Sequence, residues 1–521
     1  MSSAALCRPA QSILSNGAVP VLTEDRTVAK ASRKTGSRRQ FKMYIDGKWI
    51  ESESGDTFDV VSPASGEVLG TFPKGTAEDA RRAVESAVEA QESIARMPIQ
   101  ERCKLGVRIA EEVRRYVKEY AVDCSLEHGK PLRESIAEVE DAIPNILWQV
   151  EDLKRWDSPV QEGYSKPDVL YMTLHEPLGT VATITPWNFP WVLPSEFVVQ
   201  AMLAGNSVIF KPASNTPLSA AHLMECIDRA GVPPGVINMV TGPGGEVGAT
   251  LVEHPLVDAI GFTGETTTGV DIAKRAGLKK LTLELGGLGP LIIMDDAKID
   301  AAVEDIAFGC FTNTGHCCVA NERVFVHEAI HDRVVQALVD RTKKMKVGFP
   351  LDNDTDMGPV NNRPTLKKVE DHVADAVKKG AKVVVGGKRV PEMPTDLYYY
   401  PTVVDGVTPD MLFNKVETFG PTAPIFEFED LDEAVELANA PRYGLSMAIH
   451  TSNLRVAMEA AKRLKSGQVC INEPVYSWDY FNPWGGFRNS GLGRIAGRWT
   501  LDAFSELKTV MINVGRSPWP R

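Results

Sequence analysis

Between residues 180 and 284, short apolar runs alternate with stretches long enough for a helix, and this alternation constrains the fold more than any other feature. The runs are Val181-Ala182-Thr183-Ile184, Ser207-Val208-Ile209-Phe210, Val236-Ile237-Asn238-Met239-Val240, Asp258-Ala259-Ile260-Gly261-Phe262 and Lys280-Leu281-Thr282-Leu283. Strands that are apolar at consecutive positions are buried on both faces, as in a parallel sheet covered by helices. The spacers suit crossover helices, so the chain is predicted to be α/β with a parallel sheet. Each run ends in a loop rich in Gly, Pro, Asn or Thr. Ligands bind at that edge in open parallel sheets, which makes it a nucleotide-site candidate on physical grounds alone.

Around this region, Met43 to Trp49 reads as two short strands about an Asp46-Gly47 turn. A helix is predicted over 76–93, with Ala80, Ala83, Val84, Ala87 and Val88 on one face and Thr76 as its cap. Further helical patterns fill 99–123 and 132–153. The 521 residues leave room for two to four domains, with no repeat or low-complexity linker between them. Fifty-seven Lys and Arg against 69 Asp and Glu give a net charge of −12, which argues against nucleic-acid or anionic-membrane binding. No apolar run approaches the ~20 residues of a membrane span. The eight cysteines form no CxxC pair or zinc ladder, and no HExxH is expected among the nine histidines. Free thiols in a reducing, cytoplasmic setting and no metal are therefore expected. The first forty residues carry seven basic side chains and only two acids, Glu24 and Asp25. That composition fits a disordered basic tail or an organelle transit peptide.

The loops carry the chemistry. In order they read Pro186-Trp187-Asn188-Phe189-Pro190, Lys211-Pro212-Ala213-Ser214, Gly242-Pro243-Gly244-Gly245-Glu246-Val247-Gly248, Phe262-Thr263-Gly264-Glu265 and Glu284-Leu285-Gly286-Gly287. Beyond them come Asn313-Thr314-Gly315-His316-Cys317-Cys318, Glu417-Thr418-Phe419-Gly420-Pro421, Tyr443-Gly444-Leu445-Ser446 and Gly485 to Gly491. Singly each is weak. Together, over roughly residues 43–515, they resemble the aldehyde dehydrogenase superfamily, and the cysteine segment and KPAS loop resemble its semialdehyde and lactaldehyde branches.

That resemblance implies a Rossmann-like cofactor domain (41–165 and 178–284), an α/β catalytic domain (285–487) and a small β oligomerisation arm (166–177 and 503–515). Residues 1–40 form an extension. A homodimer or homotetramer is implied, acting on a small-molecule aldehyde with NAD or NADP. The chemistry needs a nucleophile that forms a tetrahedral adduct, because a bare carbonyl does not lose hydride. By the resemblance Cys318 is that nucleophile, with Cys317 a packing neighbour. The Asn188 amide and the Cys318 backbone N–H form the oxyanion hole, and Glu284 is the general base. Glu284 also favours hydrolysis over acyl transfer to coenzyme A. An inactive family member kept as a binding protein is a further alternative, and the intact residues speak against it. Thr185, Pro186, Trp187, Lys211, Ser214, Gly244, Gly264, Glu265, Thr268, Leu285, Glu417 and Phe419 are the implied coenzyme residues.

Several positions depart from the family pattern. Ser214 stands where many NAD-preferring relatives carry a glutamate, which leaves room for NADP. Glu265 replaces a more usual serine and is expected to turn outward from the pyrophosphate. Ile495 replaces an acid of a proton relay. Glu196 occupies a place that holds an arginine in enzymes for succinic semialdehyde. The segment 474–484 has five aromatic residues in eleven, and Trp191 adds to an expected aromatic tunnel wall. An apolar or aromatic aldehyde is the first expectation for the substrate. An amino- or ammonium-aldehyde using Glu196 follows, then a hydroxyaldehyde or semialdehyde.

Overall fold

The computed structural model describes residues 39–515. The five apolar runs form the strands Thr180–Ile184, Ser207–Lys211, Ile237–Met239, Ala259–Thr263 and Lys280–Glu284. Side by side they run Lys280–Glu284, Ala259–Thr263, Thr180–Ile184, Ser207–Lys211, Ile237–Met239, with every neighbouring pair parallel. The chain therefore starts mid-sheet and winds outward both ways. The reversal point, between Thr180–Ile184 and Ala259–Thr263, opens a crevice at the strand ends. Antiparallel strands bring the sheet to eight: Gly491–Leu492 on one edge, Met43–Ile45 and Lys48–Ile50 on the other. The last two are the expected hairpin. Asp46 and Gly47, at φ 53° and 71°, supply the two left-handed residues of a tight turn.

Both faces of this sheet are covered. From Ser207–Lys211, Val208 and Phe210 enter a core shared with the helices Ile99–Arg115 and Leu132–Lys154, while Ile209 points to the opposite core beside the helix Ala77–Ala95. That last helix starts where the sequence places it. Thr76 Oγ1 accepts the Asp79 N–H at 3.2 Å, and the Asp79 carboxylate accepts the Thr76 N–H at 3.0 Å. The pattern expected over 99–123 is not one helix. Tyr116, with φ −124°, divides Ile99–Arg115 from Val117–His128.

Residues 285–289 lead into a second sheet of seven strands. Its order is Lys382–Val385, Thr402–Asp405, Thr422–Phe428, Arg323–His327, Pro290–Ile293, Ser446–His450, Gln468–Ile471. All neighbours are parallel except the first pair. Here too the faces alternate, with Leu291 and Ile293 in one core and Ile292 in the other. A separate three-stranded sheet joins Val160–Glu162, Val169–Pro177 and Ser505–Asn513, the last two antiparallel along their full length. Arg39 and Gln40, assigned above to the extension, already belong to the fold. The Arg39 guanidinium forks onto Asp123 at 2.7 and 3.0 Å, and Gln40 bridges Thr71. The remainder of the basic segment lies outside the described residues. No helix among the described residues is long and apolar enough to cross a membrane.

Candidate active site

The strand ends of the first sheet face a turn from the second half of the chain. Helix Ile299–Phe311 is followed by Thr312–Gly315, where Asn313 and Thr314 adopt left-handed φ of 54° and 57°. Such backbone is costly for residues other than glycine and persists only where the surroundings hold it. The Glu134 carboxylate accepts the Asn313 N–H at 2.9 Å. The Asn313 side-chain amide donates to the Asn188 carbonyl at 2.9 Å and to the His316 carbonyl at 3.1 Å. In return, Asn188 Nδ2 donates to the His316 carbonyl at 3.0 Å, using one of its two N–H groups. Gly315 must be glycine, because a Cβ there would lie 2.2 Å from the Gly420 carbonyl oxygen.

A buried ion pair fixes the loop carrying Asn188, and neither member stood out in the sequence. Lys130 Nζ donates to Glu138 Oε2 at 2.5 Å and to the Asn188 carbonyl at 2.8 Å, and lies 4.6 Å from the Phe189 ring centroid. The other Glu138 oxygen accepts the Trp191 N–H at 2.8 Å. Glu134 and Glu138 share a face of helix Leu132–Lys154, whereas Lys130 stands before Pro131, outside it, so helical spacing gave no signal for the pair.

Cys318 follows the left-handed turn and is partly exposed, whereas the other described cysteines are buried. A hydrogen bond with the Cys317 thiol, then burial, then the charge of Glu417 push the Cys318 thiol well above its ordinary range. Glu284 ends its strand 3 % exposed, and among the described residues neither carboxylate oxygen has a hydrogen-bond partner. Burial first, then Cys318, raise its carboxyl well above the usual carboxylate range. Glycines make the close packing possible: a Cβ on Gly485 would stand 2.9 Å from Glu284 Oε1, and one on Gly287 would stand 2.1 Å from the Cys318 carbonyl oxygen.

The other sequence-derived positions gather at the crevice. Thr185 donates its N–H to the Lys211 carbonyl at 3.2 Å. Lys211 is buried, its Nζ donates to the Pro212 carbonyl at 3.0 Å, and burial lowers its ammonium to about 8. Ser214 Oγ donates to the Gly242 carbonyl at 3.3 Å. No atom of the described residues lies within 4 Å of a Cβ placed on Gly244 or Gly245. Gly264 donates its N–H to the Glu284 carbonyl at 3.0 Å, and the Leu285 side chain packs against Gly269. Glu265 is exposed at the start of helix Thr266–Arg275, and Thr268 is exposed on its first turn. Glu417 Oε1 accepts the Gly287 N–H at 2.9 Å; burial, then Glu322, push its carboxyl up to about 8. Phe419 meets Trp187 edge-on at 5.5 Å, next to the loop of Pro186 and Asn188. Glu322 was not singled out by the sequence, yet its carboxylate accepts the N–H groups of Thr418 and Phe419.

Cys317 and Cys318 also line a cavity of about 950 Å³, counted with its open mouth. Its aromatic wall comes from Phe189, Tyr476, Trp478 and Trp484, with Ile495 and Ala496 beside them. Trp191 does not take part. It is fully buried, stacked on Tyr120 at 5.1 Å, because its N–H bond to Glu138 turns it into the core. Tyr480 hydrogen-bonds Asp141 at 2.9 Å, and Phe481 is exposed against Trp148. Glu196 borders the cavity, but both its oxygens are engaged. One accepts the Ala496 N–H at 2.8 Å and the Thr500 hydroxyl, the other the Gln200 amide at 2.9 Å. The turn of π-helix at Ser195–Val199 directs it there. The expected pairing of Glu196 with a substrate ammonium thus meets a carboxylate already in use.

Contrary to the expectation that no HExxH is present, His327-Glu328-Ala329-Ile330-His331 has that spacing. That spacing brings two imidazoles together only on a continuous helix. Here His327 ends a strand, and its Nδ1 accepts the Ala329 N–H as the cap of a short 3₁₀ turn, while His331 pairs with Asp405 at 2.9 Å. Among the described residues, no three His, Cys, Asp or Glu stand together as a metal set.

The thiol environment has a direct consequence. Iodoacetamide is expected to modify Cys318 ahead of the other described cysteines, with a rate that still climbs through about pH 9 because the reactive thiolate is scarce below it. A plateau already reached near neutrality, measured by peptide mapping, contradicts this environment.

Known proteins resemble this chain along most of its length. Residues 49–510 match the model of the aldehyde dehydrogenase family. A glutarate-semialdehyde dehydrogenase of Pseudomonas aeruginosa is 36 % identical over 469 residues, covering 90 % of this chain and 96 % of that protein. An NADP(+) succinate-semialdehyde dehydrogenase of Escherichia coli is 35 % identical, covering 90 % and 97 %. The crystal structure of an NAD-dependent aldehyde dehydrogenase from Sinorhizobium meliloti superposes with a TM-score of 0.90 at 37 % identity, covering 92 % of this chain and 96 % of that one. With its two sheets, its strand-end crevice and a match along most of its length, the chain belongs to the aldehyde dehydrogenase family.

Proposed function

We propose that the chain oxidises an aldehyde to the carboxylic acid with NAD or NADP, through a thiohemiacetal and then a thioester on Cys318. The observation that carries this reading is the convergence of a thiol, a buried carboxylate without partners and a fixed side-chain amide at one strand-end crevice. Three features fit a dinucleotide: open space above Gly244 and Gly245, a buried Lys211 ammonium bonded to the neighbouring Pro212 carbonyl, and the Glu417 carboxylate beside Gly287. Thr185, Pro186, Trp187, Lys211, Ser214, Gly244, Gly264, Glu265, Thr268, Leu285, Glu417 and Phe419 would hold it. When bound, the coenzyme supplies the hydride acceptor. Ser214 places no carboxylate against a 2′-phosphate, and the relatives include one NADP(+) and one NAD-dependent enzyme.

Glu284 takes the proton of the Cys318 thiol, for which its raised affinity suits it. The thiolate adds to the carbonyl carbon. The new oxyanion accepts the second N–H of Asn188 Nδ2 and the Cys318 backbone N–H, each such donor being worth roughly 3 kcal/mol in the transition state. Loss of hydride leaves the thioester. Glu284 passes its first proton to solvent, deprotonates a water that attacks the thioester, and returns that second proton to the leaving sulfur, releasing the acid and restoring the thiol. This second role speaks for hydrolysis rather than transfer to coenzyme A.

For the substrate, the cavity favours an aldehyde with an uncharged apolar body. Its walls are largely aromatic and aliphatic, and its ammonium, Lys130, is held by Glu138 and the Asn188 carbonyl. A semialdehyde is the second reading. The names of both curated relatives support it, and on the comparisons it stands ahead of an aromatic aldehyde. Aromatic, aliphatic, amino- and carboxylate-bearing aldehydes assayed with each coenzyme separate the two by kcat/KM. Cys318→Ala is expected to abolish aldehyde-dependent coenzyme reduction while coenzyme binding persists; retained turnover contradicts the nucleophile assignment.

A homo-oligomer is also proposed. Ser505–Asn513 is an edge strand, and Leu507 and Met511 on it are 66 % and 65 % exposed. A long edge strand with bare apolar side chains is a liability unless another chain covers it. Light scattering is expected to give a dimer or tetramer that Leu507→Lys with Met511→Lys shifts toward monomer; a monomeric native protein rejects this.

A further inference from the structure

We propose that Glu322 is a positioning residue for the coenzyme side of the site, holding the Glu417-Thr418-Phe419 segment in place from a point four residues beyond Cys318. Glu322 stands immediately before strand Arg323–His327 and is 3 % exposed. One carboxylate oxygen accepts the Thr418 N–H at 2.9 Å and the other accepts the Phe419 N–H at 2.8 Å. The two consecutive N–H groups converge on one anion where the chain changes hand, the left-handed turn following at Phe419 itself, with φ 60°. Phenylalanine does not adopt that conformation freely, so the anion and the turn sustain each other.

The consequence falls on groups that flank the crevice. The held segment brings Glu417 Oε1 to the Gly287 N–H at 2.9 Å and the Phe419 ring to Trp187 at 5.5 Å. Gly287 in turn packs on the Cys318 carbonyl. Glu322 thus links the nucleophile segment to the residues that, in the proposed function on which this inference rests, hold the nicotinamide end of the coenzyme. It donates no proton and touches no reacting atom. The described contacts of Cys318, Glu284 and Asn188 do not run through it, so its removal should separate two activities of one site. Hydride transfer depends on coenzyme placement. Hydrolysis of an activated ester needs only the thiolate, the oxyanion donors and the base: Cys318 attacks p-nitrophenyl acetate, p-nitrophenolate leaves, and water cleaves the acetyl thioester.

Glu322→Gln is the sharper variant, because its NH₂ group would face a backbone N–H where an acceptor stood. Glu322→Ala removes both acceptors, and Glu322→Asp keeps the charge with a shorter reach. The Gln and Ala variants are expected to raise the coenzyme KM at least tenfold and lower the dehydrogenase kcat. Coenzyme-free ester hydrolysis should stay within about twofold of native, and Glu322→Asp should recover part of the loss. If ester hydrolysis falls in step with dehydrogenation, Glu322 serves only the general fold and the proposal is overturned. An unchanged coenzyme KM in Glu322→Gln overturns it as well. Native protein without aldehyde-dependent coenzyme reduction is a different result, and it defeats the proposed function rather than the placement of Glu322.

Discussion

Two asparagine side chains fasten the two halves of the molecule at the proposed reactive centre. Asn188, at a strand end of the first sheet, donates to the carbonyl of His316, while Asn313, in the turn before Cys318, donates back to the carbonyl of Asn188. Each bond contributes about 1 kcal/mol net, but leaving any of these buried groups unpaired would cost about 1–3 kcal/mol. The exchange fixes the distance between a loop and a strained turn that share no regular structure. Lys130 adds a charged donor to the same Asn188 carbonyl, and Glu134 holds the Asn313 N–H. The thiol of Cys318 is located by this lattice more than by any helix or strand.

Carboxylates crowd the centre, and burial gives them their character. Glu284, Glu322 and Glu417 are all raised, with desolvation the first cause in each case. Their environments differ. Glu322 is satisfied by two N–H donors and Glu417 by one, while Glu284 has none. A carboxylate without donors gains most from taking a proton, and the nearby thiol has one to give. Cys318 is thus among the groups that raise Glu284, after burial, while the thiol itself is raised first by its hydrogen bond with Cys317.

Much of the framework was legible because it depends on local pattern. Apolar runs with helix-length spacers disclosed the five parallel strands, and Asp46-Gly47 disclosed the hairpin. Capping chemistry fixed the start of the helix after Thr76. The loops were legible for a different reason, namely their order and spacing along the chain. What escaped depended on distant partners. Lys130 and Glu322 read as ordinary charged residues, and only folding buries them beside carbonyls and N–H groups far away in sequence. Trp191 read as a tunnel residue, but a backbone bond to Glu138 turns it inward. Glu196 read as a free charge, and a π-helical turn hands it to Ala496 and Thr500. The HExxH string misleads in the opposite sense, since a strand end and a 3₁₀ turn break the helical face that the spacing requires.

The central claim is that one sulfur carries the acyl group between hydride loss and attack by water. Rapid quenching of Glu284→Gln with a substrate aldehyde and coenzyme, followed by peptide mass analysis, tests it directly. Acylation is slowed, because the base for the thiol is lost too, but its product is one equivalent of reduced coenzyme with a matching acyl mass on Cys318, since the carboxylate that would activate water is gone. A full burst of reduced coenzyme with no adduct, or with the acyl group on another residue, would contradict it.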